Sequence, residues 1–262
     1  MTQSGAQQDE CFILIKAQPH LSGNYFETVC CAGIGRDGKW RRQYPVPFRI
    51  LNESSKFKRW DWISYNFTKS AKDPRMESQK VVPESISVIG KIKQPERASF
   101  LNPLVRPSFE DAETRGESLA LIRPVSLKLR WYEKSEAQLA KERGDHKSLA
   151  NQMSLLDQTA KPLEPCPVQF RIHWRDANGV SRRHECDDWE TSTAFNRFER
   201  EYGRDRALKT LQETYEDIYF EAGLALAFST HSRRNSHYGQ QNQWLLVGIL
   251  RLNYSSQDDL FL

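Results

Sequence analysis

The chain predicts an α+β protein: a mostly β N-terminal lobe, then a C-terminal lobe with a hairpin, two helices and a buried antiparallel strand pair. Three observations carry that prediction. Short apolar or alternating runs, such as residues 12–15 and 60–67, fill the first half. A charged stretch without a single aromatic interrupts the chain over residues 133–165. Beyond it, hairpin punctuation and helical periodicity give way to two nearly continuous apolar runs.

Residues 1–10 are polar, with three Gln and no apolar periodicity, and read as a disordered lead-in. The N-terminal β-rich lobe then spans residues 11–133. Phe12, Ile13, Leu14 and Ile15 suit a buried strand. Residues 25–34 fit helix or strand, and Gly33, Gly35 and Gly38 close them with turn chemistry. Pro45 and Pro47 exclude a continuous helix over residues 40–51, which reads as extended. Trp60, Trp62 and Tyr65 to Phe67 suit a half-buried strand, and residues 85–92 and 125–131 are further strand candidates.

A charged helical connector follows over residues 134–165, with Leu139, Leu149, Met153 and Leu156 loosely at helical spacing. The C-terminal α+β lobe occupies residues 166–262. Thr193 can cap a helix carrying Phe195, Phe198 and Tyr202 on one face, with Gly203 just past its end. Leu208, Leu211, Tyr215, Ile218 and Tyr219 mark a second helix, ended near Gly223. Residues 224–228 and 244–250 are apolar enough to be central strands.

Composition limits the function. Thirty-eight Lys and Arg against thirty-four Asp and Glu leave a net charge of +4, which excludes a histone-like polycation and an acidic tail protein. A hydrophobic fraction of 38% is enough to bury a sizeable core. No apolar run reaches the roughly 18 residues of a membrane span. The polar, acidic start differs from a secretory signal. Five cysteines, with Cys30 and Cys31 adjacent, do not form a disulfide framework. A reducing cytoplasm is the expected compartment.

The charge is unevenly spread. Residues 36–69 hold nine cations against three acids, a local +6 inside a chain whose total is +4, and interleave them with eight aromatics. Cations neutralise phosphates while aromatic faces stack on unpaired bases, at roughly 1–3 kcal/mol per base. Arg41, Arg42, Arg49, Lys58 and Arg59 are the candidate phosphate contacts, with Trp40 and Tyr44 as stacking residues. The competing reading makes the cations the solvated face of a sheet whose Trp60 and Trp62 point inward. A polar run over residues 231–243, joining two apolar strands, adds Arg233, Arg234 and Tyr238 to the same interface.

The clearest hairpin runs over residues 168–186 around Asp176-Ala177-Asn178-Gly179. Its register is open between two solutions. A two-residue Asn178-Gly179 turn pairs His173 with His184 and sets Phe170, Ile172 and Trp174 beside Arg183, Glu185 and Asp187. A type I turn opened by Asp176, with Gly179 left-handed, slips the pairing by one and sets them beside Arg182, His184 and Cys186. Burying Cys186 and a hydrogen-bonded His184 costs less than burying three charges, which favours the second register and demotes a zinc site. No metal site is predicted.

Asp187, Asp188 and Glu190 follow where a strand gives way to a helix. They are weak catalytic candidates: paired carboxylates could hold Mg²⁺ for phosphodiester chemistry, or simply cap the helix. No phosphate-binding glycine loop and no Gly-x-Ser-x-Gly elbow accompanies them. No cofactor is predicted unless that nuclease alternative holds. The terminal Leu260-Phe261-Leu262 could dock on a protein partner.

The strings Val29-Cys30-Cys31-Ala32-Gly33-Ile34, Trp40 to Arg49, Gly116 to Pro124 and Asp188-Trp189-Glu190 resemble a family of uncharacterised bacterial proteins, over roughly residues 12–250. The resemblance implies association with mobile elements or antiviral defence and hence a nucleic-acid partner. It also implies a Cys-rich stretch before Asp-Trp-Glu, of which only His184 and Cys186 stand here. The expected function is binding of RNA or single-stranded DNA, with no membrane involvement. The alternatives are a metal-dependent nuclease or phosphoesterase, or a non-catalytic subunit of a larger complex.

Overall fold

The computed structural model describes residues 5–22, 26–70, 73–154, 162–230 and 244–254. Along the chain come strands Gln7–Lys16 (β1), His20–Ser22 (β2), Phe26–Gly35 (β3), Trp40–Val46 (β4), Asp61–Lys69 (β5) and Ser78–Lys91 (β6). Helix Gln94–Leu101 (α1), strand Val105–Arg106 (β7), helix Phe109–Thr114 (α2), and strands Leu119–Ile122 (β8) and Ser126–Glu133 (β9) lead into helix Glu136–Ser154 (α3). The hairpin Val168–Arg175 (β10) and Ser181–Glu185 (β11) precedes helices Trp189–Tyr202 (α4) and Arg204–Glu213 (α5). A π-helical turn, Thr214–Tyr219, connects α5 to Phe220–Gly223 (α6), and Leu224–Thr230 (β12) and Trp244–Arg251 (β13) complete the chain. The protein is therefore of mixed α+β class.

Two compact units result, and each draws on two stretches of chain. The first combines Met1–Ile92 with Glu133–Val168, the second Lys93–Tyr132 with Gln169–Leu262. Residues 93–132, placed in the N-terminal lobe by the linear reading, thus group with the C-terminal sheet. The reason is strand pairing: β8, whose Leu119, Ala120, Leu121 and Ile122 are all buried, pairs antiparallel with β12 about a hundred residues later. The connector helix α3 belongs to the first unit, with Leu139 buried.

The polar lead-in is shorter than expected, because β1 starts at Gln7 and pairs with β5 from Gln7 opposite Phe67 onward. Its polar side chains are used: Gln8 donates to Ser64 Oγ at 3.1 Å, and Asp9 turns inward. Segment 26–35 is a strand. Gly33 lets β1 approach β3, since a Cβ there would lie 2.0 Å from the Phe12 carbonyl oxygen.

In the second unit the strand orders are β11-β10-β9 and β13-β12-β8-β7. The hairpin adopts the slipped register, with Ile172 opposite His184 and Trp174 opposite Arg182. Asp176 fixes it. Its fully buried carboxylate accepts from the Asn178 and Val180 amides at 3.1 and 2.9 Å, and Gly179 sits at φ 80°. Phe170, Ile172 and Trp174 then face inward with His184 and Cys186, and Trp174 Nε1 donates to His184 Nδ1 at 3.0 Å. Phe109, Phe228 and Trp244 complete this aromatic core, Phe109 stacking on Trp244 at 5.1 Å.

Helix α4 is capped by Asp188 rather than Thr193, which is exposed inside the helix, and Gly203 at φ 81° ends it. Strand β12 is central as expected, whereas β13 is outermost in its sheet. Leu246 of β13 bridges to Cys186 and is fully buried. No helix among the described residues is long and apolar enough to cross a membrane.

Gly33→Ala should cost about 3 kcal/mol, the upper end for overpacking, because the obstacle is backbone and cannot swing away. Urea unfolding of the purified variant measures it; a cost below about 1 kcal/mol contradicts the close approach.

Candidate nucleic-acid interface

The first unit is a closed barrel. Strand β1 pairs antiparallel with both β3 and β5, β3 pairs antiparallel with β4, β4 runs parallel to β6, and β6 returns antiparallel to β5. This is the connectivity of an OB-type barrel, a fold whose second and third strands commonly receive oligonucleotides or oligosaccharides. The equivalent strands are β3 and β4, with β2 added at the edge of β3.

Strand alternation decides which residues of β4 face out. Gln43 points into the barrel, where its Nε2 donates to Tyr65 Oη and Cys11 Sγ, each at 3.0 Å. Tyr65 Oη donates to Gln79 Oε1 at 2.5 Å, and Gln79 Nε2 donates to Asp9 Oδ2 at 2.7 Å. Arg41 closes this chain, its Nε donating to Asp9 Oδ2 at 2.6 Å and its Nη2 lying 3.2 Å from Asp37. Burial alone would lower the Arg41 pKa, but the two carboxylates raise it above its ordinary value. Burial likewise pushes the Tyr65 hydroxyl and the Cys11 thiol up, the latter to about 12.

Trp40, Arg42 and Tyr44 therefore face outward. Tyr44 is 39% exposed and shares a 3.4 Å hydrogen bond with the Thr28 hydroxyl; Trp40 is half-buried. Arg42 is only 7% exposed, its Nη2 donating to Glu77 Oε1 at 3.1 Å. Two of the sequence-predicted phosphate contacts are thus corrected: Arg41 and Arg42 are built into ion pairs, because the inner end of the barrel carries Asp9 and the β5–β6 connection carries Glu77. Arg49 lies half-buried in a single 3-10 turn, Phe48–Ile50, Lys58 is exposed, and Arg59 is half-buried.

The aromatics of the basic stretch serve mainly as core. Phe57, Trp62, Tyr65 and Phe67 are buried. Trp60 is not the start of the strand but sits before it at φ 77°, a left-handed conformation rare for a bulky residue. Its amide donates to the Ile13 carbonyl at 2.8 Å, its carbonyl accepts from Ile92, and its ring stacks on Phe12. Arg36 lies over the Trp62 ring at 4.0 Å and pairs with Glu10 at 2.8 Å. Arg233, Arg234, Tyr238 and the Leu260-Phe261-Leu262 tail lie outside the described residues.

Sequence reading passed over the β5–β6 connection, the counterpart of a loop that flanks the binding face in such barrels. Asp73 organises it by accepting from Arg75 Nε at 2.8 Å, Arg75 Nη2 at 2.6 Å and Ser78 Oγ at 2.7 Å. An acid two residues before an Arg in a loop was the available signal.

The acidic cluster is structural at its centre. Asp188 is 1% exposed, and it accepts from the Glu190 amide at 3.2 Å, Thr191 Oγ1 at 3.2 Å and the Ile249 amide at 3.1 Å. Those bonds cap α4 and tie it to β13. Asp187 and Glu190 flank it half-buried, and the Asp187 amide donates to the Leu246 carbonyl at 2.8 Å. Among the described residues no group of three or more His, Cys, Asp or Glu could hold a metal ion. All five cysteines are free thiols, and burial pushes Cys186 up to about 12.

Two family profiles match the chain end to end. A domain of unknown function, DUF8758, covers residues 7–106, and a second, DUF8757, covers residues 105–262. The second spans more than half of the chain, which therefore belongs to the DUF8757 family and carries a DUF8758 domain ahead of it. No curated protein matches the chain.

Two outcomes follow from these sites. Burial raises the Asp73 carboxyl, yet the Arg75 fork and the Ser78 hydroxyl outweigh it and hold the group at about 2. A depressed folded-state value contributes stability above the unfolded value of about 4 that is lost as pH falls toward 2. Asp73→Asn should lower the urea midpoint at neutral pH and flatten its decline between about pH 4 and 2; an unchanged acid limb argues against the fork. Asp188→Ala should cost about 2–4 kcal/mol, combining a lost cap with an orphaned Ile249 amide. Chemical denaturation checks it, and an unaltered midpoint would return Asp188 to the catalytic candidates.

Proposed function

We propose that this member of the DUF8757 family binds RNA or single-stranded DNA through the outer face of β3 and β4. The observation that carries the reading is the barrel connectivity, because it sets Trp40 and Tyr44, chosen from sequence alone, on the strand that such barrels present to nucleic acid. Tyr44 offers an exposed ring for base stacking beside the part-exposed Trp40. Exposed Lys39 and Lys58, with half-buried Arg49 and Arg59, supply positive charge nearby in sequence, while Arg41 and Arg42 position β4 rather than contact phosphate. Arg233, Arg234 and Tyr238 stay in the proposed interface on sequence grounds alone.

The five free thiols support a reducing, cytoplasmic setting, and the mobile-element or defence association implied by the family resemblance belongs to the same reading. The use of the buried Asp188 to cap α4 and to hold the Ile249 amide gives the nuclease alternative no support.

Fluorescence anisotropy with labelled oligo(U) and oligo(dT) tests the proposal. Affinity should fall steeply with salt, and Tyr44→Ala with Lys39→Glu should weaken binding about tenfold without moving the thermal transition. Absence of salt-dependent binding to either oligonucleotide overturns it.

A further inference from the structure

The second unit carries a charged surface that neither the family profiles nor the barrel reading uses. Because the hairpin adopts the slipped register, Phe170, Ile172 and Trp174 are committed to the core and the intervening side chains project from the opposite side of the sheet. On β10 these are Arg171, His173 and Arg175; on β11, Ser181, Arg183 and Glu185. Strand β9 contributes Lys128, Arg130 and Tyr132, since Leu127 and Leu129 are buried. Contacts across the strands place them on one face. Tyr132 Oη donates to Glu185 Oε1 at 3.1 Å, the Arg171 guanidinium lies 5.6 Å over the Tyr132 ring, and His173 pairs with Arg183.

Among the described residues, five cations share this face with a single exposed carboxylate, Glu185, which holds Arg171 at 2.9 Å. A second carboxylate, Glu216, reaches the rim from the π-helical turn. It accepts from Lys128 Nζ at 2.6 Å and the Leu129 amide at 2.8 Å, and lies 4.0 Å from Arg130. The balance remains positive, and cations on neighbouring strands, about 4.8 Å apart, fall within one Debye length of each other. Four of the five are Arg, whose planar fork matches phosphate oxygens. Two rings, Tyr132 at 42% exposure and half-buried His173, stand among them.

We infer that this sheet face is a second nucleic-acid surface, which takes the phosphate backbone of the strand. The inference rests on the reading that the chain binds nucleic acid. Cations stand about 6.7 Å apart on β9 (Lys128, Arg130) and about 13 Å apart on β10 (Arg171, Arg175), with neighbouring strands about 4.8 Å apart, so more than one phosphate meets the patch at once. Tyr132 and His173 offer rings on which unpaired bases stack, a feature that an acidic protein surface would leave unused. His173 also reports occupancy. Burial first, then Arg183, Arg130 and Arg171, hold its pKa below the ordinary value; Lys128, Arg175, Glu185 and Tyr132 are the other charged or titratable groups on that face, with Glu216 at its rim. A bound phosphate offsets those cations and must raise it.

The test uses the full chain with labelled oligo(U) of about twenty nucleotides, comparing unsubstituted protein, the barrel variant Tyr44→Ala and the triple variant Arg130→Gln/Arg175→Gln/Arg183→Gln. The triple variant should bind at least about tenfold more weakly at low salt, with a log–log salt slope smaller by about two, as three lost phosphate contacts require. In the unsubstituted protein the His173 pKa, followed by NMR, should rise by about half a unit or more at saturation. Equal affinity and slope for the triple variant, with binding reduced by Tyr44→Ala, overturn the second surface and leave the barrel reading standing. Binding lost in the triple variant but unaffected by Tyr44→Ala supports the sheet face and sinks the barrel. An unmoved His173 also overturns the proposal, and decides the matter should the triple variant unfold. Failure of the unsubstituted protein to bind overturns both; an acidic protein captured in its place assigns the face to that partner.

Discussion

Inside the first unit, six polar side chains from four strands form one hydrogen-bonded chain running Arg41–Asp9–Gln79–Tyr65–Gln43–Cys11. Polar groups inside a small barrel are costly unless they are hydrogen-bonded, so the cost of breaking any link is high, even though the buried Gln43 Oε1 itself takes no partner. This constraint fixes the rest. Asp9 must be on β1, so the strand extends back to Gln7; Arg41 and Gln43 must point inward, so Trp40, Arg42 and Tyr44 point outward. The identity of the outward face is a by-product of how the interior is satisfied.

The same constraint explains what the sequence could and could not disclose. Strands with period-two alternation and β-branched residues, such as β5 and β10, were legible because each faces one core. The hairpin register was legible by weighing the burial of His184 and Cys186 against that of three charges. Charge density misled at Arg41 and Arg42, since a cation in a strand looks identical whether it meets solvent or a carboxylate 32 or 35 residues away in the chain. Asp9 and Glu77 gave no local sign of being their partners. Trp60 was misplaced for a related reason: its left-handed backbone depends on hydrogen bonds from β1 and from the end of β6, which no local window contains.

Both units apply alternation to different ends. In the barrel, Arg41 and Arg42 are drawn into ion pairs and half of the aromatics are core, while Arg36, Lys39, Lys58 and Lys69 stay exposed. In the three-stranded sheet the aromatics are also core, but Arg171, Arg175, Arg183, Arg130 and Lys128 are left outside. A window of sequence rich in charge is therefore a weaker guide to a basic surface than a strand whose alternate positions are already claimed by the core.

The chain passes between the two units three times, at residues 92/93, 132/133 and 168/169. The family junction at residues 105–106 coincides with none of these crossings. A gene fragment ending there would encode a barrel without α3, which packs against β2 and β3, and its complement would carry α3 with no barrel to cover it. The boundary between the two families is therefore not a boundary between the two compact units.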